Sequence, residues 1–376
     1  MLSLLVVLEQ IVIILAALCA LILVHEFGHF VVAKLSKMRV DEFGLGFPPR
    51  ALTLGKIGET TYTLNWLPLG GFVKIHGEDG SDVEDPRSFA ARPRVLQGLV
   101  LIAGIAMNLL FAYVLIAGAL VVGTPRALTQ GEAARARHLH VAVASVLPNS
   151  PAAQAGLEPG DEILLARDAR GTWAATSTAS FSSYVAESHG TPISLVLAEA
   201  TGGTGYATAT PVSGLFKSDP SRYVLGVEIM TVGVAPVPLI PALKEAGTLT
   251  WGVISLTATS FVHLFVQPSL KQVRGPIGIV AYAATGGISS LGTGIAFVAE
   301  ISIGLALLNL VPIPALDGGR LLIVIVEGLT RRRVSPNLLQ TIVGFAFMAL
   351  ILLVVVVSAH DIERLWVANH LSSLSL

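Results

Sequence analysis

The feature that most constrains this chain is a pair of histidines set inside an apolar run. Leu21-Ile-Leu-Val-His25-Glu26-Phe-Gly-His29-Phe continues a segment, Ile11 to Val24, that carries no charge. A run of that kind crosses lipid as a helix, because only internally bonded backbone is tolerated there. On a helix, positions 25 and 29 are one turn apart on one face, so both imidazoles can reach one metal ion. Glu26 lies beside them, where it can take a proton from a water on that ion. The H-E-x-x-H spacing is that of catalytic zinc sites. Ionisable groups within a span are costly and mark functional positions.

Composition agrees with a membrane setting. Of 376 residues, 53% are hydrophobic and 13% charged, with a mean hydropathy of +0.73, as in multi-span proteins that carry some water-soluble mass. A net charge of −1 gives no footprint for nucleic acid. The single cysteine, Cys19, cannot form an internal disulfide and reads as a packed thiol. The N-terminus has no basic n-region, and no small-residue cleavage pattern precedes His25, so it reads as a retained span and not a signal peptide.

About four spans are expected. The first covers about 4–33 and ends at Lys34, Lys37 and Arg39, which places that end in the cytoplasm. The second covers about 95–122, after Arg92 and Arg94, and contains Gly104-Ile-Ala-Met-Asn108. Asn in a membrane helix commonly joins helices by hydrogen bonding, and Gly104 allows close approach on the same face. The third, about 291–329, is broken at Asn309-Leu-Val-Pro312-Ile-Pro314-Ala-Leu-Asp317-Gly-Gly, and the fourth covers about 338–357.

Three intervening regions are not spans. In 40–92, Thr60 to Leu67 alternates as a strand and Pro68-Leu-Gly70-Gly71-Phe72-Val-Lys-Ile-His76-Gly-Glu78 reads as a turn and its return strand. Gly44-Leu-Gly-Phe47 looks like the carboxylate loop of PDZ domains but reads as a turn in this hairpin; His76, with no second ligand at metal spacing, reads as solvent-facing. Residues 138–232 form a soluble domain: Val141 to Leu147 is strand-like, and Ser150-Pro-Ala-Ala-Gln-Ala-Gly156-Leu-Glu-Pro-Gly-Asp161 resembles the short helix and glycine stop of a bacterial PDZ domain. Phe181–Ser188 would supply its second helix, Ile193–Ala198 and Tyr223–Ile229 further strands, and 200–205 a hairpin turn. In 241–290, a crossing by Trp251–Val266 would put Arg331-Arg-Arg333 outside, so an interfacial helix is expected.

These strings together resemble the site-2 protease family, in its bacterial form with a PDZ domain. The likeness covers most of the chain and departs at Ile105, where the family commonly has proline. It implies zinc held by His25, His29 and Asp317, with Glu26 as base. It implies substrate contacts at Asn108, Gly70, Gly71, Phe72 and Asn309, and a hairpin (about 40–80) that re-enters the membrane beside an unwound substrate. The expected fold is thus a multi-span α-helical membrane protein with about four transmembrane helices, a membrane-reentrant β-hairpin and an inserted extracytoplasmic PDZ domain of mixed α/β type. Its parts are 1–123, the PDZ domain at 138–232, an interfacial segment at 241–290, and 291–376. The expected activity is intramembrane proteolysis of single-span membrane proteins, such as anti-sigma factors or signal-peptide remnants, in a bacterial inner membrane. The active site would face the cytoplasmic side, and the PDZ domain would take a peptide or protein ligand. A PDZ scaffold with a structural metal site is the alternative, but a closed site needs four protein ligands and no fourth is visible. A metal transporter commonly shows paired repeats, and none is found.

Overall fold

The computed structural model describes residues 4–80, 82–174, 177–198, 204–215, 219–266, 275–284, 288, 290–332 and 334–374. The chain opens with α1 (Leu4–Leu35), β1 (Val40–Ile57), β2 (Thr60–Ile75) and α2 (Arg94–Val122). Next come β3 (Pro125–Ala127), α3 (Gln130–Ala133), β4 (Arg137–Val146), α4 (Pro151–Gln154), β5 (Glu162–Asp168), β6 (Gly171–Ala174), α5 (Thr178–Ala186), β7 (Ile193–Ala198), β8 (Thr204–Ala209) and β9 (Val227–Val234). Five helices close it: α6 (Leu239–Val266), α7 (Pro276–Tyr282), α8 (Leu291–Leu310), α9 (Asp317–Thr330) and α10 (Pro336–Leu374). Two compact units result, one of residues 1–117, 243–284 and 295–376, the other of 118–242 and 285–294.

Among the described residues, four helices are long and apolar enough to cross a membrane: Leu8–Leu35, Arg94–Val122, Leu291–Leu310 and Asn337–Trp366. The third expected span resolves into two pieces. α8 has 20 residues and qualifies, whereas α9, with 14, reaches only about 21 Å at 1.5 Å per residue, short of a bilayer core. The break falls at Val311–Leu316. A Cβ on Gly318 would strike the Leu310 carbonyl, and one on Gly319 the Ile313 carbonyl, so two glycines let the first turn of α9 fold back on the chain before it. The 28-residue α6 is not among the four and exposes Trp251, Leu256 and Val262. Residues 267–274 lie outside the description, and the expected 200–205 turn mostly does.

Gly275-Pro-Ile-Gly278 has a physical reason. Asp361, buried on α10, accepts the N–H of Gly275 at 3.3 Å and of Gly278 at 2.8 Å, capping α7 with a carboxylate. A Cβ on either glycine would lie within 2.8 Å of that carboxylate.

The region after α1 differs from the expected hairpin. The strand Thr60–Leu67 does not pair with the 68–78 segment; instead β1 runs between them, with Phe43 matched to both Tyr62 and Val73, and Leu45 to both Leu64 and Gly71. Residues 71–75 run against 40–45, while 60–65 pair antiparallel with 50–57 on the far side. Gly44 to Phe47 lies inside β1 and is not the hairpin turn, which falls between Ile57 and Thr60. The ring of Phe72 covers Gly44 where a Cβ would stand, and Gly46, at φ +80°, bends the strand with its carbonyl held by Asn65 Nδ2 at 3.0 Å. Sequence alternation cannot reveal this order, because it records which face each side chain takes and not which strands lie alongside. His76 is also not solvent-facing: its Nδ1 is 3.3 Å from Asp41 and its Nε2 is 3.6 Å from Asp82.

The second unit is built on a seven-stranded sheet of order β3-β9-β4-β5-β7-β8, with β6 on β5. Period-two burial is clear in β7, where Ile193, Leu195 and Leu197 point inward. They meet Val141, Val143, Ile163 and Phe181 in one core. Ser150 caps α4 by accepting the Ala153 N–H, and Gly156 ends it at φ +80°. β9 starts four residues later than the strand expected at Tyr223. Phe181→Ala should cost this unit about 3–5 kcal/mol. Amide exchange measured by mass spectrometry should lose protection across β4, β5 and β7 while α1 and α2 keep theirs.

Candidate metal centre

Helix α1 supplies His25 and His29 one turn apart, both buried at 7–8% exposure. Their Nε2 atoms stand 3.1 Å from each other. The Oδ2 of Asp317, first residue of α9, lies 2.8 Å from the His25 Nε2 and 3.2 Å from that of His29. These three donors all fall within 4.8 Å of one another, which suits a single ion. Two neutral imidazoles and one carboxylate are the donor set of a catalytic zinc site with a position left for water.

The outer nitrogens settle the ring orientations. His29 Nδ1–H donates to the Val100 carbonyl at 2.7 Å, which leaves Nε2 bare for a metal. His25 Nδ1 faces the amide of Asn108 at 3.4 Å. Asn108 is fully buried and its Oδ1 has no partner among the described residues, so turning the amide over would let that oxygen accept from Nδ1–H. Either way the side chain sits against a ligand ring. Ser302 holds the Asn108 carbonyl at 2.9 Å.

Val100, Gly104 and Asn108 are spaced by four, so one face of α2 meets His25 and His29. Gly104 lies directly over them. A Cβ there would strike Nε2 of His29 and stand 2.8 Å from Cε1 of His25, and a Cβ on Gly28 would strike the Ala103 carbonyl. Close backbone approach therefore depends on both glycines. Glu26 points to the sheet side, where its Oε2 accepts the Val73 N–H at 3.1 Å.

The structure thus brings together His25, His29, Asp317, Glu26 and Asn108. Of the expected substrate contacts, Gly71 and Phe72 lie in β2 beside Val73, and Gly71's missing Cβ would be 3.7 Å from Cγ of Glu26. Gly70, at φ +141°, adjoins Phe47 and Ile22. Asn309 is half-buried in the last turn of α8, with no recorded side-chain partner among the described residues. The sequence reading missed two main-chain groups, the Val100 carbonyl and the Val73 N–H. The spacing of Val100 from Gly104 and Asn108 is a signal for the first; nothing local signals the second.

A family model described as peptidase family M50 matches residues 13–360. The chain belongs to peptidase family M50. It is 34% identical over 353 residues to a candidate zinc metalloprotease of Clostridium perfringens, covering 93% of this chain and 97% of that one. A similarly named protein of a Nostoc species is 32% identical over 336 residues, 86% of this chain and 88% of its own. A candidate chloroplast membrane metalloprotease of Arabidopsis thaliana is 31% identical over 332 residues, 85% and 72% respectively. This M50 protein is a membrane metalloprotease with zinc as its cofactor.

Asp317→Ala and Gly104→Leu should both lower zinc content of the purified protein, the first by removing one of the three converging donors and the second by displacing the two imidazoles. Metal analysis showing full occupancy in either variant would contradict the arrangement.

Proposed function

We propose that this M50 member is an intramembrane protease that hydrolyses peptide bonds within the spans of membrane proteins, with His25, His29 and Asp317 holding its zinc. One observation carries the reading: the three donors converge on a helix long and apolar enough to span, with a carboxylate, Glu26, next to them and not among them. A zinc ion's contribution is to acidify water toward a pKa of about 7 and to polarise the scissile carbonyl.

The protein's own groups do the rest. Glu26, held by the Val73 N–H, takes the proton of the attacking water and returns it to the leaving amine. Asn108, against His25, orients that ligand and is within reach to donate to the developing oxyanion, a role worth roughly 2.7–4 kcal/mol where a donor is preorganised. A helical substrate is closed to hydrolysis because its backbone is internally bonded. Unwound, it can add as a strand beside Gly70, Gly71 and Phe72, next to the base. Exposure of Trp66 (70%), Leu54 (61%) and Ile57 (72%) supports a sheet that re-enters lipid. Asn309 offers a further amide to the substrate backbone. Single-span proteins with small, helix-breaking residues are the substrate class, anti-sigma factors or signal-peptide remnants among them.

The sheet unit is read as a PDZ-like domain that receives a peptide or protein and adds no catalytic group, since Glu26 and three ligands already fill those roles. In a bacterial inner membrane, residues 124–290 lie outside, and 34–94 and 330–337 face the cytoplasm.

Two experiments test this. Purified protein in detergent should cut a single-span test substrate, lose that activity with a chelator and regain it with zinc. Glu26→Gln should abolish cleavage with zinc retained; loss of zinc in parallel would make Glu26 a ligand. Separately, in a Cys19→Ser background, a cysteine at Ser182 should react with an impermeant reagent in intact cells. Protection until lysis would reverse the orientation.

A further inference from the structure

The contacts around the metal centre close into a circuit, and two of its members have no role in the reading so far. Glu26 accepts from the Val73 N–H. Glu78 follows Val73 by five residues, three beyond the end of β2. Its carboxylate accepts from Arg320 Nη1 at 2.5 Å, and its carbonyl accepts from Nη2 at 3.3 Å. Arg320 is one turn of α9 beyond Asp317, on the same face. Asp317 reaches His25 and His29, and α1 leads back to Glu26. Every step from general base to third ligand is covalent or hydrogen-bonded.

The Glu78–Arg320 contact is suited to setting position. A guanidinium that grips a side-chain oxygen and a main-chain oxygen of one residue fixes direction as well as distance, which an ammonium cannot do. Both side chains are partly covered, at 31% and 23% exposure. The Arg320 charge lies within Coulombic range of both Asp317 and Glu26. Docking of α9 does not rest on this pair alone: Glu327, two turns further on, binds Arg94 of α2 at 2.8 Å, and Val324 and Leu321 pack with Val100 and Leu101. Holding the helix in place is therefore covered by other contacts.

We propose that Glu78 and Arg320 are positioning residues that fix the separation of Glu26 from the metal held by His25, His29 and Asp317. The pair joins the strand that orients the base to the helix that carries the third ligand. The inference rests on the protease reading above.

The test uses full-length protein in detergent, with kcat and KM on a single-span substrate, zinc content, and amide exchange at Val73. Glu78→Gln and Arg320→Met should each lower kcat about 10- to 100-fold with KM and zinc unchanged, the usual penalty for a misplaced outer partner. The Glu78→Gln/Arg320→Met double variant should lose no more than the worse single, because a circuit opens only once. Arg320→Lys should recover part of the loss. Val73 exchange should quicken in the Glu78 and Arg320 variants and not in Glu327→Gln, whose kcat should match wild type. Multiplying losses in the double variant, zinc lost along with activity, or Glu327→Gln as impaired as Arg320→Met would overturn the proposal. Should Arg320→Met fail to fold, the near-isosteric Glu78→Gln and the charge-keeping Arg320→Lys decide. Zinc-loaded wild type that cuts nothing defeats the protease reading; active wild type with unchanged variants defeats this pair alone.

Discussion

A carboxylate wedged between two imidazoles is the contact on which the helical unit depends. Asp317, His25 and His29 are each largely buried, and each would be costly among apolar side chains without the others. Satisfying them requires the start of α9 to meet the C-terminal third of α1, with α2 laid across both. The glycines follow from that demand. Gly28 and Gly104 bring α1 and α2 to backbone contact, and Gly318 and Gly319 let α9 begin immediately after a broken segment. Two prolines, Pro312 and Pro314, interrupt the chain there, so Asp317 arrives at the first turn of a new helix and not within a continuous span.

The strands β1 and β2 extend the same logic to Glu26, the proposed general base. Glu26 is one residue from a ligand yet turned toward the sheet, where a main-chain N–H holds it. That amide is available because residues 71–75 carry β1 on one side only. The opposite end of the arrangement, 50–57, is an exposed edge rich in apolar side chains. In water such an edge invites aggregation.

The second unit stands on a core of its own, with Phe181, Ile163 and Leu195 almost fully covered. It shares no residue with the metal centre.

The sequence by itself determined the pairing of His25 and His29 on one face of α1 with Glu26 between them, the four apolar helices and the break before Asp317. Those features are local: a four-residue spacing, a run without charge, and prolines and glycines whose backbone limits need no partner to be read. The strands of the second unit were legible for the same reason, since Ile193, Leu195 and Leu197 alternate along one strand. What the tertiary structure alone decided is which distant groups meet. Phe43 pairs with both Tyr62 and Val73 because 40–45 lies between those two segments, and no alternation records a strand's second partner. His76 is tied to Asp41 where the ends of the two strands pair, next to Val40 and Ile75. The Val73 N–H is likewise invisible in the chain, because almost every residue carries a main-chain donor and only packing selects which one faces Glu26. The Glu78–Arg320 contact joins residues 242 apart, a pairing no local pattern records.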